Sequence, residues 1–323
     1  MQIQANSKLL ILTENPAGFR GFFERLYRRI ARPCKTALFH LWPAPRFLPY
    51  GGPGAVVASL LRGLGLRGVT YSLNRKVAAD TVCVLANADA LRFAIQGKER
   101  GFFKKIIAGP NVVHNPSSAN GLICHPAIDA IIVPSQWNRD WWTSLAPELA
   151  PKMHPWPGGV STSIPSSSRT GGAIVYVKNP CPFLAKIVAT ATSAGLNPQV
   201  FRYGTFTHNA YLAALKTARL VIYCSQTESQ GIALSEAWMA DVPTLVWNPG
   251  FFEIGEYSWK DAAMSAPYLS REAGTFFSNE SEYAATLAAY LAQPSQYNPR
   301  AYCVKNLSDE ATTDRYLSIA GLK

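Results

Sequence analysis

The chain has 323 residues, 48% of them hydrophobic, and carries 31 Lys and Arg against 20 Asp and Glu, for a net charge of +11. That much apolar material excludes a disordered chain and suffices for two domains. The excess charge lies in the first half: residues 1–165 hold 19 basic and 8 acidic side chains, residues 166–323 hold 12 of each, and residues 1–76 alone hold 12 and 2.

Such asymmetry turns the first domain toward something anionic: lipid headgroups, a phosphorylated acceptor or nucleic acid. The basic stretch includes no recognised nucleic-acid-binding motif, so no nucleic acid is expected. Six cysteines (Cys34, Cys83, Cys124, Cys181, Cys224, Cys303) are spread singly, with no CxxC and no Cys/His cluster, and read as reduced thiols of a cytoplasmic protein. No apolar run is long enough to cross a bilayer, and the run from Leu9 to Leu12 is too short for a secretory signal. The expected location is the cytoplasm, either free or peripheral on the inner face of the membrane.

In chain order, residues 8–13 read as a short strand. Residues 17–32 place Phe19, Phe22, Phe23, Leu26 and Ile30 on one helical face beside Arg20, Arg25, Arg28, Arg29 and Arg32. This basic amphipathic helix suits either packing on the first domain or an anionic membrane surface. Residues 37–42 form the strand feeding Tyr50-Gly51-Gly52-Pro53-Gly54, and residues 55–66 have helical character. Strands are expected at 69–73, 82–85 and 104–108, with a helix at 88–100. The rigid polar loop 109–116 carries His114, and a second loop carries His125. A lone histidine is more often structural than catalytic, and His114 is preferred as the candidate because it follows directly on a strand. His40 sits in an apolar strand and His154 in the short strand before the linker, and both are expected to be packed, as are Trp137, Trp141 and Trp142 on a helix that Ser135 would cap.

Residues 155–172 are rich in Pro, Gly and Ser, as a hinge between domains would be. Beyond them, strands are expected at 173–178 and 199–203, and helices at 182–194, 209–218, 280–292 and 309–319. Residues 220–248 read as one βαβ unit. An apolar strand runs to Tyr223, a polar turn covers 225–230, and a helix begins at Gly231 with Ile232, Ser235, Glu236 and Met239 at helical spacing. Pro243 then ends the helix before a second apolar run, 244–247.

Seven residues separate Glu228 from Glu236. Glu272 and Glu280 have the same separation, so spacing alone carries little. Context raises the first pair: Glu228 lies in the loop at the carboxyl end of a strand, where open α/β sheets bind ligands. The N–H groups of Gly231 and Ile232 at a helix N-terminus suit a diphosphate, and Glu236 suits two neighbouring hydroxyls of a ribose.

The run Glu228-Ser-Gln-Gly-Ile-Ala-Leu-Ser-Glu236-Ala, with Asp241-Val-Pro243 after it, resembles the E-x7-E signature of retaining glycosyltransferases of family 4. Gly51-Gly52-Pro53 resembles that family's first glycine loop, residues 131–135 its last N-domain strand and turn, and Pro157-Gly-Gly-Val160 its interdomain crossing. Asp241 stands where the family usually has Gly, and Ser161 where an Asp is common; Asp tolerates a left-handed backbone better than most residues.

The resemblance implies an α/β, GT-B fold, two Rossmann-like domains facing across a cleft. It implies an acceptor-binding domain at 1–160, a nucleotide-sugar domain at 161–305, and a C-terminal helix at 306–323 that returns to the first domain. It implies transfer of a hexose-type sugar from a UDP- or GDP-sugar to a glycan, lipid-linked or phosphorylated acceptor, with retention of anomeric configuration, as in bacterial envelope glycan or glycolipid synthesis. No further cofactor is required, and with no DxD in the chain no metal is expected. In this reading Glu228 touches the transferred sugar, and the Ser229, Gln230, Gly231 and Ile232 amides hold the diphosphate. Lys178 holds the phosphates, with Lys186 as its partner at a longer offset than usual. Glu236 holds the ribose, Arg202 and Tyr203 approach the base, Gly51 and Gly52 approach the donor, and His114 lies near donor sugar and acceptor. A sugar-nucleotide 2-epimerase of the same fold and a non-enzymatic anionic-surface binding protein are the alternatives.

Overall fold

The computed structural model describes residues 9–13, 51–73 and 79–322. The expected helix at 17–32, the strand at 37–42 with His40, and Cys34 and Tyr50 lie outside them. Contacts divide the chain into two compact units. The first comprises the described residues up to Val133 together with Trp142–Trp156 and Asp314 onward; the second comprises Pro134–Trp141 and Pro157–Thr313.

In the first unit, β1 (Leu9–Leu12), β2 (Tyr71–Ser72), β3 (Thr81–Val84), β4 (Lys105–Ala108), β5 (Ala130–Val133) and β6 (Met153–Pro155) form one sheet in the order β2-β1-β3-β4-β5-β6. Every pair is parallel. Strands such as Leu-Leu-Ile-Leu and Ala-Ile-Ile-Val are buried along their whole length, as expected of a parallel sheet covered on both faces. The helix Gly51–Leu66 lies between β1 and β2 in sequence, and Ala88–Glu99 connects β3 to β4. Asn87 starts the latter by accepting the Ala90 N–H at 2.7 Å. The end of the final helix, Asp309–Ala320, belongs here: Tyr316 meets Trp156 edge-on at 5.1 Å, and Lys105 Nζ donates to the Ala320 carbonyl at 2.7 Å. Burial pushes the Cys83 thiol up to about 12, which keeps it protonated.

In the second unit, β7 (Ala173–Val177), β8 (Gln199–Arg202), β9 (Leu220–Cys224) and β10 (Thr244–Trp247) are followed by an antiparallel hairpin, β11 (Phe251–Ile254) with β12 (Tyr257–Lys260), and by β13 (Gly274–Phe277). The main sheet runs β13-β10-β9-β7-β8, parallel throughout. Side chains alternate across it: Ile174, Tyr176, Val221 and Tyr223 enter one apolar cluster, and Val175, Val177, Ile222 and Cys224 the other. The chain leaves β7 toward β8 on one side and returns to β9 on the other, so the topological switch point lies between β7 and β9. Ligands of doubly wound sheets bind outside the carboxyl ends of the strands at such a point.

The Pro-, Gly- and Ser-rich stretch is bonded along the second unit rather than left loose. Ser167 N donates to the Ala240 carbonyl at 2.7 Å, Ser168 N to Lys216 at 2.9 Å and Gly171 N to Thr217 at 2.7 Å. Small residues permit that approach. A Cβ on Gly172 would stand 2.1 Å from the Leu196 carbonyl oxygen, which is backbone and cannot turn away. The hairpin at 251–260, β13 and the helix Pro299–Leu307 add to the elements expected from sequence, and β2 is shorter than the expected 69–73.

Because the clash at Gly172 is with main chain, Gly172→Ala is expected to cost about 1–3 kcal/mol of stability. Urea denaturation followed by circular dichroism checks this, and an unchanged midpoint would show that the neighbouring turn yields freely.

Candidate active site

Glu228 is 6% exposed, and its carboxylate is held at both oxygens. Lys178 Nζ donates to Oε2 at 2.7 Å, and the Tyr223 hydroxyl donates to Oε1 at 2.5 Å. Its backbone is fixed as well: the N–H donates to the Met264 carbonyl at 2.8 Å, and its carbonyl accepts the Trp137 indole N–H at 2.9 Å. Lys178 follows β7 directly, and Glu228 is in the loop after β9, so this pair spans the switch point. Burial, then the charge of Glu228, raises the Tyr223 phenol well above its usual value, so the hydroxyl keeps its proton and remains a donor. Tyr176 lies stacked against Tyr223 with ring centroids 4.8 Å apart, fixing the phenol from behind.

The helix Ile232–Met239 starts after Gly231, whose φ of +71° turns the chain sharply out of the Glu228 loop. Among the described residues no side chain caps this end, which leaves the first-turn N–H groups unused by the helix. At its other end, Asp241 N donates to the Trp238 carbonyl and Val242 N to Ala237, both at 2.9 Å, with Asp241 at φ +60°. That is a Schellman cap, in which Asp241 takes the left-handed position a glycine usually fills. Its carboxylate is held by Arg169 Nη2 at 3.0 Å and accepts the Arg300 N–H at 3.2 Å.

Glu236, 7% exposed, lies on this helix, with Oε1 2.6 Å from His208 Nε2. His208 is the histidine that sequence reasoning passed over. The hydrogen bond to Glu236 raises its pKa, burial opposes the rise, and the charge of Glu236 adds to it. By contrast, Glu272 and Glu280, the pair with the same spacing, are both exposed. Burial with dedicated partners separates the two pairs.

The other expected residues divide. Gln230 is buried, and its Oε1 accepts the Gly158 N–H at 2.6 Å, so its side chain anchors the loop. Ser229 and Ile232 are half-buried beside it. Arg202 and Tyr203 end β8 in exposed positions, with Tyr203 N donating to the Val177 carbonyl at 2.8 Å. Lys186 is not brought to this cluster; it is exposed, with its ammonium 3.5 Å from Glu280. Gly51, Gly52 and His114 belong to the first unit, where all three are exposed, the glycines opening the helix Gly51–Leu66 and His114 in the loop after β4. His125 pairs with Glu99 at 3.5 Å and accepts the Ala127 N–H at 3.2 Å. Among the described residues no three His, Cys, Asp or Glu side chains gather as metal ligands would, and no helix is long and apolar enough to cross a membrane.

Because folding raises the His208 pKa, the stability this contact adds is full below the unfolded value of about 6.5 and is lost as pH rises through the folded value. The melting-temperature gap between the wild type and His208→Ala is therefore expected to be wider at pH 6 than at pH 9. Calorimetry at the two pH values checks the sign, and an equal gap would contradict it.

No family model matches the chain, and no curated protein matches it. Solved structures do. The lipopolysaccharide outer core galactosyltransferase WaaB in its apo form is similar over 97% of this chain and 98% of its own, at 11% identity and a TM-score of 0.54. HepE from Anabaena, in complex with UDP and glucose, is similar over 98% of this chain and 100% of its own, at 11% identity and a TM-score of 0.56. Sucrose-phosphate synthase from Thermosynechococcus elongatus is similar over 97% and 98%, at 10% identity and a TM-score of 0.50. At such identities the likeness establishes the fold, which is α/β of the GT-B kind, with two Rossmann-like domains.

Proposed function

We propose that the protein is a glycosyltransferase that moves a hexose-type sugar from a nucleoside-diphosphate sugar to an acceptor hydroxyl, with retention of anomeric configuration. The observation that carries the reading is the pair of buried carboxylates, Glu228 and Glu236, on either side of an uncapped helix N-terminus at the switch point of the second unit. Similarity to WaaB and HepE, the latter bound to UDP and glucose, supports a nucleotide-sugar donor. The donor is taken to be a UDP- or GDP-sugar held by residues 161–305. Residues 1–160, with most of the basic excess, are assigned to a glycan, lipid-linked or phosphorylated acceptor. Bacterial envelope glycan or glycolipid synthesis suits such an acceptor. No observation among the described residues favours an epimerase or a non-enzymatic surface-binding protein, and membrane contact through residues 17–32 rests on sequence alone.

In the reaction, the acceptor oxygen bonds to the anomeric carbon on the face that the diphosphate leaves, and the bond from that carbon to the phosphate oxygen breaks. The acceptor's proton passes to the departing phosphate. Charge builds on the leaving group, so fixed positive ends are required there before reaction. Lys178 and the amides of Ser229, Gln230, Gly231 and Ile232 supply them, helped by the helix dipole. Glu228, already neutralised by Lys178, accepts a hydroxyl of the transferred sugar. Glu236 accepts the ribose hydroxyls, and Arg202 and Tyr203 border the base. Lys186, exposed and 3.5 Å from Glu280, is the second candidate for the phosphates.

Glu228→Gln and Lys178→Ala are each expected to lower transfer at least about 100-fold, the scale for losing one stabiliser of a developing charge, with the fold retained. Activity can be read by nucleoside-diphosphate release, once a thermal-shift panel of UDP, GDP, ADP and their sugars has found the donor. Wild-type turnover by Glu228→Gln would overturn the assignment.

A further inference from the structure

The helix His208–Leu215 is tied to the helix of Glu236 at two points. The Tyr211 hydroxyl donates to the Ala233 carbonyl at 2.8 Å, and His208 Nε2 meets Glu236 Oε1 at 2.6 Å. Tyr211 is 1% exposed, and Thr207 caps the helix start by accepting the Ala210 N–H at 3.2 Å, so the position of His208 is determined by structure around it. The imidazole itself is 62% exposed over a carboxylate that is 9% exposed, and thus forms its solvent-side edge. A carboxylate carries about four lone-pair sites. Here one oxygen is engaged, and among the described residues Oε2 accepts no hydrogen bond. The buried acid is therefore half-used: oriented at one oxygen and open at the other.

We propose that His208 is a positioning residue for the donor's ribose, holding the Glu236 carboxylate by Oε1 so that its remaining lone pairs accept the two ribose hydroxyls. This rests on the donor-binding reading above and adds to it a residue on a different helix. Without the imidazole the carboxylate turns about its terminal bond, and binding must order it each time, a cost that falls on affinity and not on the chemical step. The effect acts only through the ribose hydroxyls. A nucleotide that lacks them should not register the loss of His208, whereas a general disturbance of the site would weaken both nucleotides.

The test is titration calorimetry with UDP and with 2′,3′-dideoxy-UDP on the wild type, His208→Ala and His208→Gln, using GDP or ADP and their dideoxy forms if the wild type prefers those bases. His208→Ala is expected to weaken UDP binding about threefold to tenfold, the scale of ordering one side chain on binding, and to leave the dideoxy nucleotide within about twofold. His208→Gln, whose amide can donate to the same oxygen, should recover most of the loss. With the donor sugar, KM should rise in His208→Ala while kcat stays near the wild-type value. Equal weakening of both nucleotides, or none, would overturn this inference and leave the donor site standing. A wild type that binds no nucleoside diphosphate would overturn both.

Discussion

In the second unit the candidate site is built around one contact, the ion pair between Lys178 after β7 and Glu228 after β9. A carboxylate alone beside a diphosphate would oppose it by about 4 kcal/mol at 4 Å and an effective dielectric of ~20. Paired with Lys178 it carries no net charge, and in the proposed reading the ammonium is shared with a phosphate. The pair is not a surface salt bridge of small worth. Glu228 is buried while Lys178 is 31% exposed, so losing Lys178 leaves a carboxylate out of water that keeps only the Tyr223 hydroxyl as a side-chain donor among the described residues. Tyr223, the Met264 carbonyl and the Trp137 indole complete the set, so the acid is oriented at side chain and backbone together.

The second constraint is the short helix that follows. Eight residues are too few to be stable by propensity, and tertiary contacts hold this one. Trp238 donates its indole N–H to Thr244 Oγ1 at 3.1 Å, Tyr211 holds the first turn, and the Asp241 cap closes the last. At the start, no side chain among the described residues caps the helix after Gly231. In the proposed reading, this uncapped N-terminus between two partnered acids is where the diphosphate's charge is taken up.

Much of this was legible in the chain. The runs Leu-Val-Ile-Tyr-Cys at 220–224 and Ala-Ile-Val-Tyr-Val at 173–177 are continuous and apolar because both faces of the sheet are covered, and such strands are readable without periodicity. Asp241 was recognisable as a residue that tolerates a left-handed turn, and its φ of +60° is that turn. The helix Glu280–Ala292 coincides with its expected bounds. His208 was not legible, because its meaning comes from Glu236, 28 residues away, and no local pattern marks it. The hairpin at 251–260 was missed because its register pairs Phe252 with Trp259 across a turn, and four-residue strands offer too few alternations to detect. Pro299–Leu307 buries only Pro299, Cys303 and Leu307, too thin a stripe to announce a helix, although Asn298 before Pro299 is a start signal. Lys186, already at a longer offset than usual, lies on the helix Leu184–Ser193 with its ammonium 3.5 Å from Glu280, a contact that no local pattern shows.

A crystal structure of the protein at saturating UDP, or GDP if that nucleotide binds better, tests the account most directly. It predicts the β-phosphate at hydrogen-bonding distance, about 3 Å, from the amides around Gly231 and Ile232, with Lys178 between it and Glu228 and the ribose on Glu236. A nucleotide bound elsewhere, with those amides and both acids untouched, would contradict it.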